Sequence, residues 1–125
     1  MGRRQRKRGG DDGAPRSGAS SYHDEDGNTL VLRGTLRPRT RAAYARIASG
    51  QAMSPGATRE DAWQRAVEFL FEHLAESWTI AGTDPITNQR ELLGRLRMAS
   101  AQERSWVRTS LRAHCEAHFP DVAAP

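Results

Sequence analysis

The segment HCEAH, residues 114–118, carries the residue types in this 125-residue chain that would do metal chemistry. On a helix, His114 and His118 project from one face, as two ligands of one zinc ion would. In zinc peptidases the motif H-E-x-x-H places the general-base glutamate directly after the first histidine. The carboxylate of Glu116 instead lies about 180° from the midline between the two histidines. The spacing therefore predicts that His114, Cys115 and His118 pack within the protein and do not bind a metal.

Other motifs for catalysis or cofactor binding are missing from the sequence. No serine lies in a G-x-S-x-G elbow, and the glycines form neither a phosphate-binding P-loop nor a dinucleotide-binding loop. We therefore expect a protein that is not an enzyme, with no catalytic residue, no metal ligand and no cofactor.

Cysteine content and hydropathy bear on the compartment. A single cysteine, Cys115, excludes an internal disulfide framework and fits a reducing compartment. No apolar run approaches 18 residues, the length that would indicate a membrane span, and no apolar stretch follows the basic start. The expected location is the cytoplasm, with no membrane partner.

The net charge of +4 is located entirely in the first 21 residues, since residues 22–125 carry 13 arginines against 13 acidic residues. Residues 1–21 have almost no apolar side chains, so they are predicted to be a disordered basic tail. The tail would bind nucleic acid in a salt-dependent, sequence-independent way, or serve as a solubilising extension, or have no role. Its candidate phosphate-binding residues are Arg3, Arg4, Arg6, Lys7 and Arg8.

The domain that follows the tail begins with a strand pattern. Apolar and polar residues alternate over Thr29–Leu36, which predicts a strand with one apolar face. The turn sequence Asp26-Gly27-Asn28 precedes it, so Ser21–Asp24 is expected to pair back as a short hairpin. Pro38 ends the strand.

The strongest helical pattern starts at the capping residue Thr58 and runs about 20 residues. Six apolar residues fall within an arc of about 100° around this helix, which indicates one buried face. We expect both of its tryptophans to lie in the core. The six residues are Trp63, Val67, Leu70, Phe71, Leu74 and Trp78.

Three shorter helices complete the prediction. The first helix of the chain covers Arg41–Ala48 after the cap Thr40, and the long helix is the second. The third helix starts near Thr87. The fourth opens with the S-x-x-E capping box at Ser100 and ends before Pro120. The fold class is therefore mainly α: a small four-helix domain, residues 22–125, preceded by a short β-strand or hairpin and by the basic tail, residues 1–21.

Two rows of like charge recur every four residues on the predicted helices. Each row is either a solvated face, or a face that binds a partner, or one half of a contact in which the two rows meet. Trp106 lies off the apolar stripe of its own helix, so it either packs on another element or is an exposed interface residue beside Arg108. The candidate partner-binding residues are Glu68, Glu72 and Glu76 on one helix, and Arg104, Trp106, Arg108 and Arg112 on the other.

Four segments resemble small proteins encoded in the tail gene clusters of siphophages of actinobacteria, among them tail assembly chaperones. They are TLVLRGTLRPRTRAAY, AVEFLFEHLAESWTIAG, QRELLGRLRMAS and RAHCEAHFPD, within a region that covers about three quarters of the chain. The resemblance implies a non-catalytic helical protein that binds the tape-measure protein and tail-tube subunits before assembly, often alongside a frameshifted longer form. It implies no role for any individual residue, and the basic tail is not expected from it.

The resulting hypothesis is a protein-binding factor of phage or prophage tail assembly, acting in the host cytoplasm. The alternative is a small nucleic-acid-associated protein that binds through its basic N-terminal arm. The oligomeric state stays open.

Overall fold

A computed structural model of the chain describes residues 18–49, 56 and 59–125. Four helices pack on a three-stranded antiparallel sheet of order β1-β2-β3. The predicted class, four helices preceded by a hairpin, is confirmed, and the third strand is an addition to it. The elements are β1 (Ser20–His23), β2 (Thr29–Leu32), α1 (Pro38–Ala48), α2 (Arg59–Leu74), β3 (Ala75–Thr79), α3 (Gln89–Arg97) and α4 (Ala101–His118).

The predicted hairpin is present, with Ser20 paired to Leu32. Its turn is held by Asp24, whose Oδ1 accepts hydrogen bonds of 2.9 Å from the amides of Asp26 and Asn28. Gly27 supplies the left-handed conformation that the turn requires, with φ of 85°. Strand β2 ends at Leu32, four residues before the predicted limit, and β1 includes the last two residues of the predicted tail. Residues 1–17 lie outside the described residues.

The long helical pattern is divided between a helix and a strand, which corrects the prediction. Helix α2 ends at Leu74, and Ala75–Thr79 pairs with β2, with Trp78 opposite Leu30. Strand β1 pairs with one edge of β2, and the backbone amides and carbonyls on the other edge need hydrogen-bond partners. A strand over residues 75–79 supplies these partners, whereas a helix would not. Trp78 is buried in either conformation, so apolar spacing did not distinguish them. The predicted cap Thr58 lies outside the described residues.

The core forms where α2 meets the sheet. Leu70, Phe71 and Leu74 on α2 are fully buried, as the helical pattern predicts. The inner face of the sheet contributes Leu30 and Trp78, which are also fully buried. Side chains of α3 and α4 close the core from the other sides. The placement of Trp78 in the core is confirmed.

Trp63 is 45% exposed, so its predicted place in the core is wrong. It lies about 20° from Leu70 around the helix axis, on the apolar face. It stands about two turns before Leu70, near the start of α2. Periodicity gives the direction in which a side chain points. It does not show whether another element covers the side chain at that position along the helix.

The starts of the shorter helices follow from local chemistry. Helix α1 begins at Pro38, earlier than predicted, because proline has the helical φ and its missing amide hydrogen is not needed in the first turn. Helix α3 is capped by Asn88, one residue after the predicted start. Helix α4 opens with the predicted capping box, in which Ser100 and Glu103 bond each other's backbone amides. No described helix has the length and apolarity needed to cross a membrane.

Replacing Trp78 by alanine should lower the free energy of unfolding by about 3–5 kcal/mol, because a fully buried indole is removed. Trp63→Ala should cost less than about 1 kcal/mol, since that side chain is nearly half exposed. Urea denaturation followed by far-UV circular dichroism measures both values. Equal losses in the two variants would contradict the exposed position of Trp63.

Candidate partner-binding surface

An arginine row and an exposed tryptophan meet where α2 lies beside α4. Arg104, Arg108 and Arg112 are spaced four residues apart, so they share one face of α4. The guanidinium carbon of Arg108 lies 5.8 Å from the centre of the Trp63 ring, in cation–π geometry. We call Trp63, Arg104, Arg108 and Arg112 the Trp63–Arg108 surface.

This surface is positively charged, and among the described residues no carboxylate forms an ion pair with it. Within the described part of the chain, the ion pairs are Arg41–Asp121, Arg95–Glu103 and Arg97–Glu68, and none involves the arginine row. Arg104 and Arg112 are exposed, and the half-buried Arg108 has an Nε atom that is shielded from water and has no hydrogen-bond partner in the described part of the chain. The surface therefore presents positive charge that no described carboxylate pairs.

Trp106 does not belong to the Trp63–Arg108 surface. It projects about 160° away from Arg108 around α4. Its half-buried ring lies 6.3 Å from that of Trp78, so it packs against the core on the opposite side of the helix. The tryptophan beside Arg108 is thus Trp63, which the apolar pattern had assigned to the core.

The predicted row of three glutamates is wrong as a single helical face. Glu76 lies on β3, whereas Glu68 and Glu72 lie on α2. Glu68 accepts a hydrogen bond of 3.0 Å from Arg97 and one of 2.9 Å from Gln64. Burial favours a raised pKa for Glu68, but these hydrogen bonds outweigh it and lower the pKa below its ordinary value.

The two charged rows do not bond each other through Glu68, because its ionic partner is on α3 and not on α4. Glu72 is exposed and Glu76 half-buried. The candidate arm residues Arg3, Arg4, Arg6, Lys7 and Arg8 lie outside the described residues.

The histidines of HCEAH connect α4 to the hairpin. Nε2 of the buried His114 lies 2.7 Å from the carbonyl oxygen of Arg33, so this nitrogen carries the proton and donates it. Nδ1 lies 2.8 Å from the hydroxyl of Tyr22 and accepts its hydrogen. The His118 ring stacks on that of His114 at 4.4 Å. Both nitrogens of His114 are therefore used within the protein, and neither is left to bind a metal.

The remaining residues of the motif are consistent with the packing interpretation. Cys115 is fully buried, and burial raises its pKa to about 11, so its thiol stays protonated near neutral pH. Glu116 is exposed, on the side away from the histidines. Among the described residues, no three histidine, cysteine, aspartate or glutamate side chains are grouped as metal ligands.

Comparisons of the chain with known protein families, with curated proteins and with solved structures found no match.

The sequence pattern indicates only some of the residues of the Trp63–Arg108 surface. The arginine row was recognised from its spacing, but Trp63 was not assigned to it. One signal was available: Trp63 is the first large apolar residue of α2, four residues before Val67 and close to the start of the helix at Arg59.

The buried position of His114 predicts a dependence of stability on pH. Burial and the neighbouring His118 lower the pKa of His114, and together they outweigh its hydrogen bond to Arg33. Below pH about 6.5 the unfolded chain binds a proton at this histidine more readily than the folded protein does. The stability that neutral His114 contributes is therefore present above that pH and decreases as the pH falls.

We expect the free energy of unfolding to fall by up to about 1.4 kcal/mol per pH unit below pH about 6.5, and His114→Gln to remove that part of the slope. Urea denaturation at pH values between about 7.5 and 5.5 measures the slope of the free energy of unfolding against pH. Most carboxylates titrate below this pH range. His23→Gln, at an exposed histidine, is the matched control and should keep the slope. Parallel pH profiles for wild type and His114→Gln would disprove the assignment.

Proposed function

We propose that this protein is a non-catalytic protein-binding factor and that the Trp63–Arg108 surface contacts its partner. The observation that carries the proposal is the exposed Trp63 ring with the Arg108 guanidinium 5.8 Å from its centre. Tryptophan and arginine are the residue types that most often dominate binding energy at protein interfaces. Both lie on helices, so their backbone is already ordered before a partner binds.

The charge of the surface indicates the chemistry of the partner. Arg104 and Arg112 are exposed, and neither they nor Arg108 is paired with a carboxylate in the described part of the chain. Arginine binds carboxylates through two parallel hydrogen bonds. A segment that carries acidic side chains next to an apolar one would pair with the arginines and cover Trp63.

The resemblance of four segments to siphophage tail-cluster proteins supports a more specific proposal. The protein acts as a tail assembly chaperone of a phage or prophage, in the host cytoplasm, and its partners are the tape-measure protein and tail-tube subunits. A helical domain with an uncompensated arginine row beside an exposed tryptophan suits such a binding role.

On this proposal the neighbouring genes encode tail proteins, and co-expression of the tagged protein with them should yield a co-purifying complex. Trp63→Ala and Arg108→Gln should each weaken the complex at least about tenfold, as expected for central interface residues. Isothermal titration calorimetry with the purified partner measures the affinities.

Met98→Ala and Arg46→Gln are the matched controls, because they alter an exposed apolar side chain and an exposed arginine outside the surface. Both should bind as the wild type does. Recovery of the protein alone from every co-expression would contradict the chaperone proposal. Unchanged affinity in Trp63→Ala would instead contradict the choice of surface.

A second candidate function is nucleic-acid binding through the basic arm, favoured by the location of the net charge of +4 within residues 1–21. Deleting residues 1–17, which leaves β1 intact, should abolish a gel shift of double-stranded DNA that weakens with added salt. Trp63→Ala should retain the shift. The absence of a shift with the full chain at low salt would end this candidate.

A further inference from the structure

A cationic cleft of about 340 Å³ lies at the start of α1. The segment after β2, the first turn of α1 and the end of α2 form its walls. Of the residues that the structure describes, the polar ones lining it are Arg33, Thr35, Arg37, Thr40 and His73, and none is a carboxylate. Two residues with a permanent positive charge and two with a hydroxyl group therefore line one small volume.

The two arginines of the cleft have no acidic partner within the described part of the chain. The Nε atom of Arg33 is shielded from water and lacks a hydrogen-bond partner among the described residues. A buried donor without an acceptor costs about 1–3 kcal/mol, so most such groups in folded proteins are satisfied. A ligand in the cleft cannot reach this shielded atom either, so an anion there would instead offset the positive charge of Arg33 and Arg37, which no described carboxylate pairs.

The N-terminus of α1 adds to the positive potential. This 11-residue helix has no side-chain cap and no acidic residue in its first turn. Pro38 has no amide hydrogen, so the first-turn donors are the amides of Arg39 and Thr40. The helix dipole and these amides favour an anion at the same end of α1 that carries the cleft.

We propose that this cleft binds a phosphate group, either as inorganic phosphate or as a phosphate monoester. Residues with guanidinium, hydroxyl and imidazole side chains line the cleft from different elements. Such an arrangement suits the tetrahedral oxygens of phosphate, whereas a planar carboxylate is satisfied by the fork of a single arginine.

The test is titration of the full chain with inorganic phosphate at constant ionic strength, followed by chemical-shift changes in ¹H–¹⁵N spectra. The amides of Thr35 and Thr40 should shift in a saturable way. Arg33→Gln and Arg37→Gln should each weaken binding about tenfold or more, because each removes a charge-assisted hydrogen bond. Arg46→Gln removes the same charge from the exposed end of α1 and should bind as the wild type does.

Glycerol 3-phosphate separates the two sources of the ligand: tighter binding than inorganic phosphate assigns the site to a monoester, and weaker binding assigns it to the free ion. Sodium acetate at the same ionic strength should cause no saturable shift. Three results would overturn the proposal: no saturation with either phosphate, equal binding of acetate, or an equal loss in Arg46→Gln. Arg37→Gln keeps the test valid if Arg33→Gln does not fold, since Arg37 is exposed.

Discussion

The burial of the apolar face of α2 against the sheet is the constraint on which the other contacts depend. Leu70, Phe71 and Leu74 are fully buried, and each such side chain contributes roughly 1.5–3 kcal/mol. The chain passes from Leu74 directly into β3 without a loop, so the helix and the strand bury consecutive side chains in the same core. The carbonyl of Leu74 also accepts a hydrogen bond of 2.8 Å from the amide of Arg33, which connects this junction to the end of β2.

Polar contacts attach the outer elements to this core. Asn28 in the hairpin turn accepts a hydrogen bond from the amide of Ala81, just beyond β3. Arg95 on α3 pairs with Glu103 on α4 at 2.7 Å while its guanidinium lies 5.1 Å from the Trp78 ring centre. His114 joins α4 to both sides of the hairpin. These contacts join α3 and α4 to each other, to Trp78 in the core and to the hairpin.

The distribution of charge explains how a domain with balanced charge can present cationic surfaces. Acidic side chains are used internally, as in the bonds of Asp24 within the hairpin turn and of Glu68 with Arg97. Arg33, Arg37 and Arg108 have no such carboxylate partner among the described residues. Local uncompensated charge, and not the net charge, is what a negatively charged partner or ligand would meet.

The sequence by itself determined the helix count, the hairpin, the capping box of α4 and the direction of the apolar side of α2, because each depends on neighbours within a few residues. Only the tertiary structure decided that residues 75–79 form a strand, since their pairing partner β2 lies over 40 residues away. For the same reason it alone placed Trp63 beside Arg108 and gathered Arg33, Arg37 and His73 around one cleft. Periodicity gives the direction in which a side chain points, whereas exposure and contact depend on which distant segment packs at that point.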